Sequence, residues 1–104
     1  MITSPIDLKL PKAENVTVSE DTLSVDLSDG RTILVPLGWF PRLLYASPAE
    51  RNNWRFIGMG HGIHWEDIDE DISVEGLLLG KPSAESQSSF DKWLKQRPSN
   101  INCK

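Results

Sequence analysis

Apolar and polar residues alternate through Leu23-Ser24-Val25-Asp26-Leu27-Ser28, the period of a half-buried β-strand. Val16 and Val18 open an earlier run of the same kind, with Glu20-Asp21 as the turn between them. Asp29-Gly30 is the strongest turn signal in the chain and predicts a two-residue type I′ hairpin. Arg31-Thr32-Ile33-Leu34-Val35 is rich in β-branched residues and predicts the return strand. Pro36 has no N–H to donate, so pairing should end there. Residues 15–36 therefore predict a meander of three antiparallel strands.

The period changes after Pro36. Phe40, Leu43 and Leu44 recur at helical spacing, with Pro41 suited to a first turn. Ser47-Pro48-Ala49-Glu50 predicts a second short helix, with Ser47 as N-cap, Pro at the first position and Glu50 completing a capping box. Trp54-Arg55-Phe56-Ile57 and Ile63-His64-Trp65 predict strands. Between them, Gly58, Gly60 and Gly62 predict a bulge or tight bend. Ser73 can cap a helix that closes at Gly80 and is stopped by Pro82. Phe90, Trp93 and Leu94 predict a C-terminal helix ending in Lys92, Lys95 and Arg97, where cations complement the helix dipole.

The fold class predicted is α+β: a small antiparallel sheet, made of the meander around 15–36 and strands around 54–65, with short helices and a C-terminal helix. Residues 1–80 form one domain with a loose N-terminal arm, in which Ile6, Leu8 and Leu10 alternate as a candidate edge strand. Residues 81–104 supply the C-terminal helix and a frayed tail.

Composition narrows the function classes. A chain of 104 residues with 38% hydrophobic and 25% charged residues is one domain with a modest core. The net charge of −4 argues against non-specific nucleic-acid binding, which needs a basic face, and suits a basic protein partner. The single cysteine, Cys103, cannot form an internal disulfide and points to a reducing compartment. The N-terminus lacks the pattern of a signal peptide, and no apolar run reaches a membrane span, so the expected location is cytoplasmic.

Acid gathers in one stretch. From Phe56 to Gly80 there are six acidic residues and no lysine or arginine. Asp67, Asp69 and Asp71 match the opening of an EF-hand loop, but Ile72 stands where that loop needs glycine and Leu78 where it needs glutamate. The stretch is then a solvated acidic rim in which Ile68 and Ile72 bury. His61 and His64, with the nearby acids, are an alternative metal or small-molecule site. In an extended strand, however, they fall on opposite faces. Gly58-Met59-Gly60-His61-Gly62 is not a phosphate loop, and no serine sits in a nucleophile elbow, so no enzyme is expected. No cofactor and no metal are assigned. Four tryptophans, Trp39, Trp54, Trp65 and Trp93, suit core or interface anchors better than base stacking.

Several ordered motifs resemble the bacterial domain-of-unknown-function family 2442. They are Leu27-Ser28-Asp29-Gly30-Arg31, Val35-Pro36-Leu37, Trp39-Phe40-Pro41-Arg42-Leu43, Asn52-Asn53-Trp54, Ile63-His64-Trp65 and the run from Ile68 to Leu78. The resemblance covers about residues 15–80. It implies a small α+β fold on an antiparallel sheet, and no established activity. It also implies a partner: many members resemble companions of an adjacent small protein of family 4160, in a toxin–antitoxin arrangement. Longer relatives carry a helix-turn-helix domain, for which the residues after Gly80 leave no room. Direct nucleic-acid binding is therefore not expected. One departure is the Glu20-Asp21 turn, which lacks the glycine often found there.

The reading is a non-catalytic, antitoxin-like protein-binding module. Glu66, Asp67, Asp69, Glu70 and Asp71 would meet a small basic partner, with Trp39, Arg42 and Trp65 as anchors. A further alternative is that these motifs only fold the domain, with Asp69 and Glu70 capping a helix or pairing with Arg42 or Arg55; a homo-oligomer is left open, as is whether the C-terminal helix packs on its own domain.

Overall fold

The computed structural model describes residues 10–97. Ile6, Leu8 and the predicted frayed tail lie outside the described residues, and Leu10 is not in a strand.

Three strands, β1 (Ala13–Val18), β2 (Thr22–Leu27) and β3 (Thr32–Pro36), form the first antiparallel sheet in the order β1-β2-β3. The alternation in β2 is realised directly, because Leu23, Val25 and Leu27 are buried while Ser24 and Asp26 are not. Val16 pairs with Val25, and Leu23 with Val35, so the apolar sets of all three strands share one face. Pro36 is the last paired residue, opposite Thr22.

The hairpin at Asp29-Gly30 is present but is not the predicted type I′. Gly30 N–H donates to Leu27 O at 3.1 Å and Leu27 N–H to Arg31 O at 2.8 Å, which makes a loop of three residues, Ser28 to Gly30. Only Gly30 is left-handed there, at φ 95°. This is the three-residue hairpin that ends on a left-handed glycine, in which one glycine suffices. The Asp29 carboxylate fixes it by accepting from Arg31 N–H at 3.1 Å and pairing with the Arg31 guanidinium at 2.8 Å.

A 3-10 turn (Leu37–Trp39) leads into α1 (Pro41–Leu44) and α2 (Pro48–Arg51). The capping box forms as predicted. Glu50 N–H donates to Ser47 Oγ at 3.1 Å, and Ser47 N–H donates to the Glu50 carboxylate at 2.8 Å.

A second antiparallel sheet follows, with β4 (Trp54–Ile57), β5 (Gly62–Trp65) and β6 (Glu70–Ser73) in the order β4-β5-β6. The glycine run between β4 and β5 is a tight bend, with Gly58, Met59 and Gly60 all left-handed at φ 59°, 59° and 93°. β6 is an addition to the strands predicted, because the acid run disguised it. Ser73 caps α3 (Val74–Leu78) by accepting from Gly76 N–H at 2.9 Å, and Gly80 follows in the left-handed region at φ 73°. A strap of residues 79–86 then leads to α4 (Gln87–Gln96), capped by Ser86.

One core joins these elements. Leu23 and Val25 from the first sheet, Ile63 and Trp65 from the second, and Leu37, Leu43, Ile68 and Val74 between them are fully buried. Helix α4 packs on its own chain. Phe90 is buried against Tyr45 with ring centroids 5.4 Å apart, and Ser83 N–H donates to Trp39 O at 2.9 Å.

Candidate functional site: the acidic hairpin

Strands β5 and β6 are joined by four residues, Glu66 to Asp69, closed by the Trp65–Glu70 pair. Asp69 is left-handed at φ 52°, a conformation that aspartate tolerates better than most side chains. Ile68 is fully buried at the loop tip and Ile72 is buried in β6, so the acids between them are held outward. Glu66, Asp67, Asp69 and Asp71 are exposed, while Glu70 is half-buried. The predicted rim with buried isoleucines is what forms.

The exposed acids differ in their partners. Asp67 accepts from Asn53 Nδ2 at 3.0 Å. Glu66 lies 3.3 Å from the Arg55 guanidinium and 3.4 Å from His64 Nε2. Asp71 pairs with His64 Nδ1. Arg55, His64 and Asp71 are direct cross-strand neighbours on β4, β5 and β6, which gives the outer face of the sheet a charged row. The Asp69 carboxylate has no partner among the described residues.

Two of the predicted anchors are internal. Trp65 is fully buried, and its Nε1–H donates to Arg51 O at 3.0 Å, so it is a core residue and not a partner contact. Arg42 is also committed within the fold. Its guanidinium pairs with the Glu85 carboxylate at 2.6 Å, with only 16% and 14% of the two side chains exposed. Arg42 Nη1–H donates to Ile68 O at 2.9 Å, and the guanidinium lies 5.2 Å from the Trp93 ring centroid. One side chain thus ties α1 to the hairpin tip, the strap and α4. Trp39 is half-buried against the core and, unlike Arg42, is not tied up in an ion pair.

Tertiary packing also creates contacts that no local pattern marks. Glu85 and the Glu50–Arg97 ion pair, at 2.8 Å, clamp the strap and α4 onto the body. Neither has a local signal, since each partner is distant in sequence. Phe56, which sits 5.0 Å from Trp54 on edge strand β4, and Met59, 83% exposed, are accessible apolar groups that precede the hairpin in sequence.

His61 and His64 are not brought into one metal site. His61 lies exposed in a hollow with Leu10, Ser73 and Glu75, whereas His64 is held between Asp71 and Glu66. Among the described residues, no three His, Cys, Asp or Glu side chains are grouped to hold a metal ion.

Glu70 has the most perturbed chemistry of the site. Burial pushes its pKa up from 4.5 to about 7, partly opposed by Arg42 and reinforced by Glu85, Asp71 and Asp69. A carboxyl with a raised folded-state pKa binds more protons folded than unfolded between these values. Its contribution to stability is therefore fully present below pH 4.5 and is lost as pH rises through about 7. Glu70→Gln should remove that loss. The variant should gain on the wild type by about 1–3 kcal/mol between pH 4 and pH 8, a range discounted for partial exposure. Urea unfolding at the two pH values checks it, and parallel curves for both proteins would exclude the effect.

Among the described residues, no helix is long and apolar enough to cross a membrane. Comparison with curated proteins gives no match. A solved structure, described as a protein of unknown function from Rhodospirillum rubrum, is similar over 76% of this chain and 98% of its own, with 30% identity and a TM-score of 0.64. The model of the family described as "Protein of unknown function (DUF2442)" matches residues 13–83, from the first strand to the strap. That match covers most of the chain, both sheets and the acidic hairpin included, and the chain therefore belongs to the DUF2442 family.

Proposed function

We propose that this protein is a non-catalytic binding module of the cytoplasm, antitoxin-like, that engages a small basic protein. The observation carrying this reading is the hairpin, where Glu66, Asp67 and Asp69 are presented outward on a loop pinned from inside by Ile68, with Asp71 exposed beside them on β6. Exposed charges of one sign on a rigid support steer encounter with a basic surface and set its salt dependence. Trp39, Phe56 and Met59 supply apolar contact where Trp65 and Arg42 do not. The antitoxin-like role and a partner of family 4160 rest on the motif resemblance described above.

The acids must be changed without breaking the hairpin. Glu66→Gln, Asp67→Asn and Asp69→Asn together remove charge while keeping the shapes, and asparagine tolerates the left-handed position of residue 69. Tagged wild type should retain one small basic protein from a host lysate at low salt and release it at high salt. Against that purified protein, the triple variant should associate at least about tenfold more slowly at low salt, with a shallower salt dependence. Equal association by a folded triple variant would sink the proposal.

A further inference from the structure

We propose that the cleft between the strap and the β6–α3 corner is a binding site for an alkyl ammonium or guanidinium group, with Glu70 as its counter-ion. Glu70 and Ile72 of β6, Leu77 of α3, Lys81 and Ser83 of the strap, and Phe40 line it. The Glu70 carboxylate is half-buried there and accepts no hydrogen bond from any described residue. The cation that favours its charged form, Arg42, is already held by both carboxylate oxygens of Glu85 and by Ile68 O. Lys81 is exposed and forms no ion pair among the described residues.

Five charged groups thus bear on Glu70 or its cleft: Arg42, Glu85, Asp69 and Asp71 around the carboxyl, and Lys81 on the strap. Three of them are carboxylates, and the one cation that stabilises the Glu70 anion is spent elsewhere. Burial first, and then the neighbouring carboxylates, hold the Glu70 pKa up against the pull of Arg42, so a further cation at the cleft mouth would favour the anion. A ligand with an aliphatic stem and a cationic head satisfies both halves of the cleft. The stem crosses the small exposed edges of Phe40 and Leu77, each 4% exposed, and the head meets Glu70. Two sources have this chemistry: a lysine or arginine of a partner protein, which would rest on the reading above, and a free amine, which would not.

Titration of the full chain with N-acetyl-arginine amide, N-acetyl-lysine amide and 1,4-diaminobutane, followed by amide NMR, tests the site. N-acetyl-norleucine amide is the uncharged control. The cationic probes should give saturable shifts confined to residues 70–77 and 81–84, and norleucine should not. Binding should be about tenfold tighter at pH 8 than at pH 6, following ionisation of a carboxyl near pH 7. Glu70→Gln should weaken it by at least tenfold while leaving the Ile63 and Trp65 amides in place. Preference for the capped amino acids assigns the site to a partner side chain, and preference for the diamine to a free amine. Shifts scattered over Glu66, Asp67 and Asp69, equal shifts with norleucine, no saturable shifts, or a pH-independent affinity would overturn the proposal. A cleft that binds cations in a protein that captures no partner would remove the partner reading and leave this site standing.

Discussion

Trp65→Ala is expected to lower the unfolding free energy by about 3–5 kcal/mol, enough to bring a domain of this size close to its threshold. Trp65 is the largest fully buried side chain, and it stands at the centre of the second sheet, where β5 pairs with both β4 and β6. Truncation leaves a cavity among core side chains that relax only partly, and it deprives Arg51 O of the indole N–H. Trp65→Phe separates these costs, since it keeps most of the apolar volume and loses the hydrogen bond. It should lie between wild type and alanine. Denaturant unfolding followed by far-UV circular dichroism measures both. If Trp65 were a partner anchor, the alanine variant would keep its stability and lose binding. Unfolding midpoints equal to wild type would reverse the assignment made here.

Arg42→Ala carries the second-largest effect, a loss of about 3 kcal/mol. Removing one member of a desolvated ion pair strands the other, and Glu85, 14% exposed, would be left without its cation. Ile68 O also loses a donor, and Trp93 loses the guanidinium on one side of its ring. The Glu50–Arg97 pair would still hold the far end of α4, so the helix should loosen at its start and not detach. Arg42→Ala combined with Glu85→Gln should recover part of the loss, because the stranded charge is gone. Positive coupling in that double-mutant cycle is the specific sign of the clamp. Additive losses would mean that Arg42 acts only through its backbone-directed hydrogen bond and its stem.

Loss of Arg42 should also change the state of Glu70. Arg42 is the one charge that favours the Glu70 anion. Without it, the Glu70 carboxyl should titrate still higher, and the cation cleft should weaken at neutral pH. A change at Arg42 can therefore alter binding without Arg42 touching a ligand. For this reason, stability and binding have to be measured together at this position.

The family model ends at residue 83, and the two ion pairs that secure α4 use Glu85 and Arg97, beyond that limit. Helix α4 is thus held by residues outside the matched unit acting on Arg42 and Glu50 inside it.

Much of the fold was legible locally. Alternation in β2, the Ser47–Glu50 capping box, the glycine bend and the Ser73 cap are all set by interactions within a few residues, and each formed where its pattern stood. The Asp29-Gly30 hairpin was legible as a turn but not as a turn type, because a two-residue and a three-residue loop use the same dipeptide. Strand β6 was hidden, since Glu70-Asp71 reads as loop unless the pairing with Trp65 and His64 is known. The candidate site divided in the same way. The exposure of the acids followed from their charge, and the burial of Ile68 and Ile72 from their apolar side chains.

The sequence by itself determined the α+β class, the antiparallel meander, the short capped helices and the outward acidic rim, because each depends on backbone propensity and local burial pattern. Tertiary structure alone decided which tryptophan is core, which strands form each sheet, and where Arg42 spends its charge. Arg42 and Glu85 are 43 residues apart, and nothing in either neighbourhood marks the other. An ion pair of that span exists only once both sheets, the hairpin tip and the strap have been packed around one core, since desolvation by the whole assembly is what selects the partner.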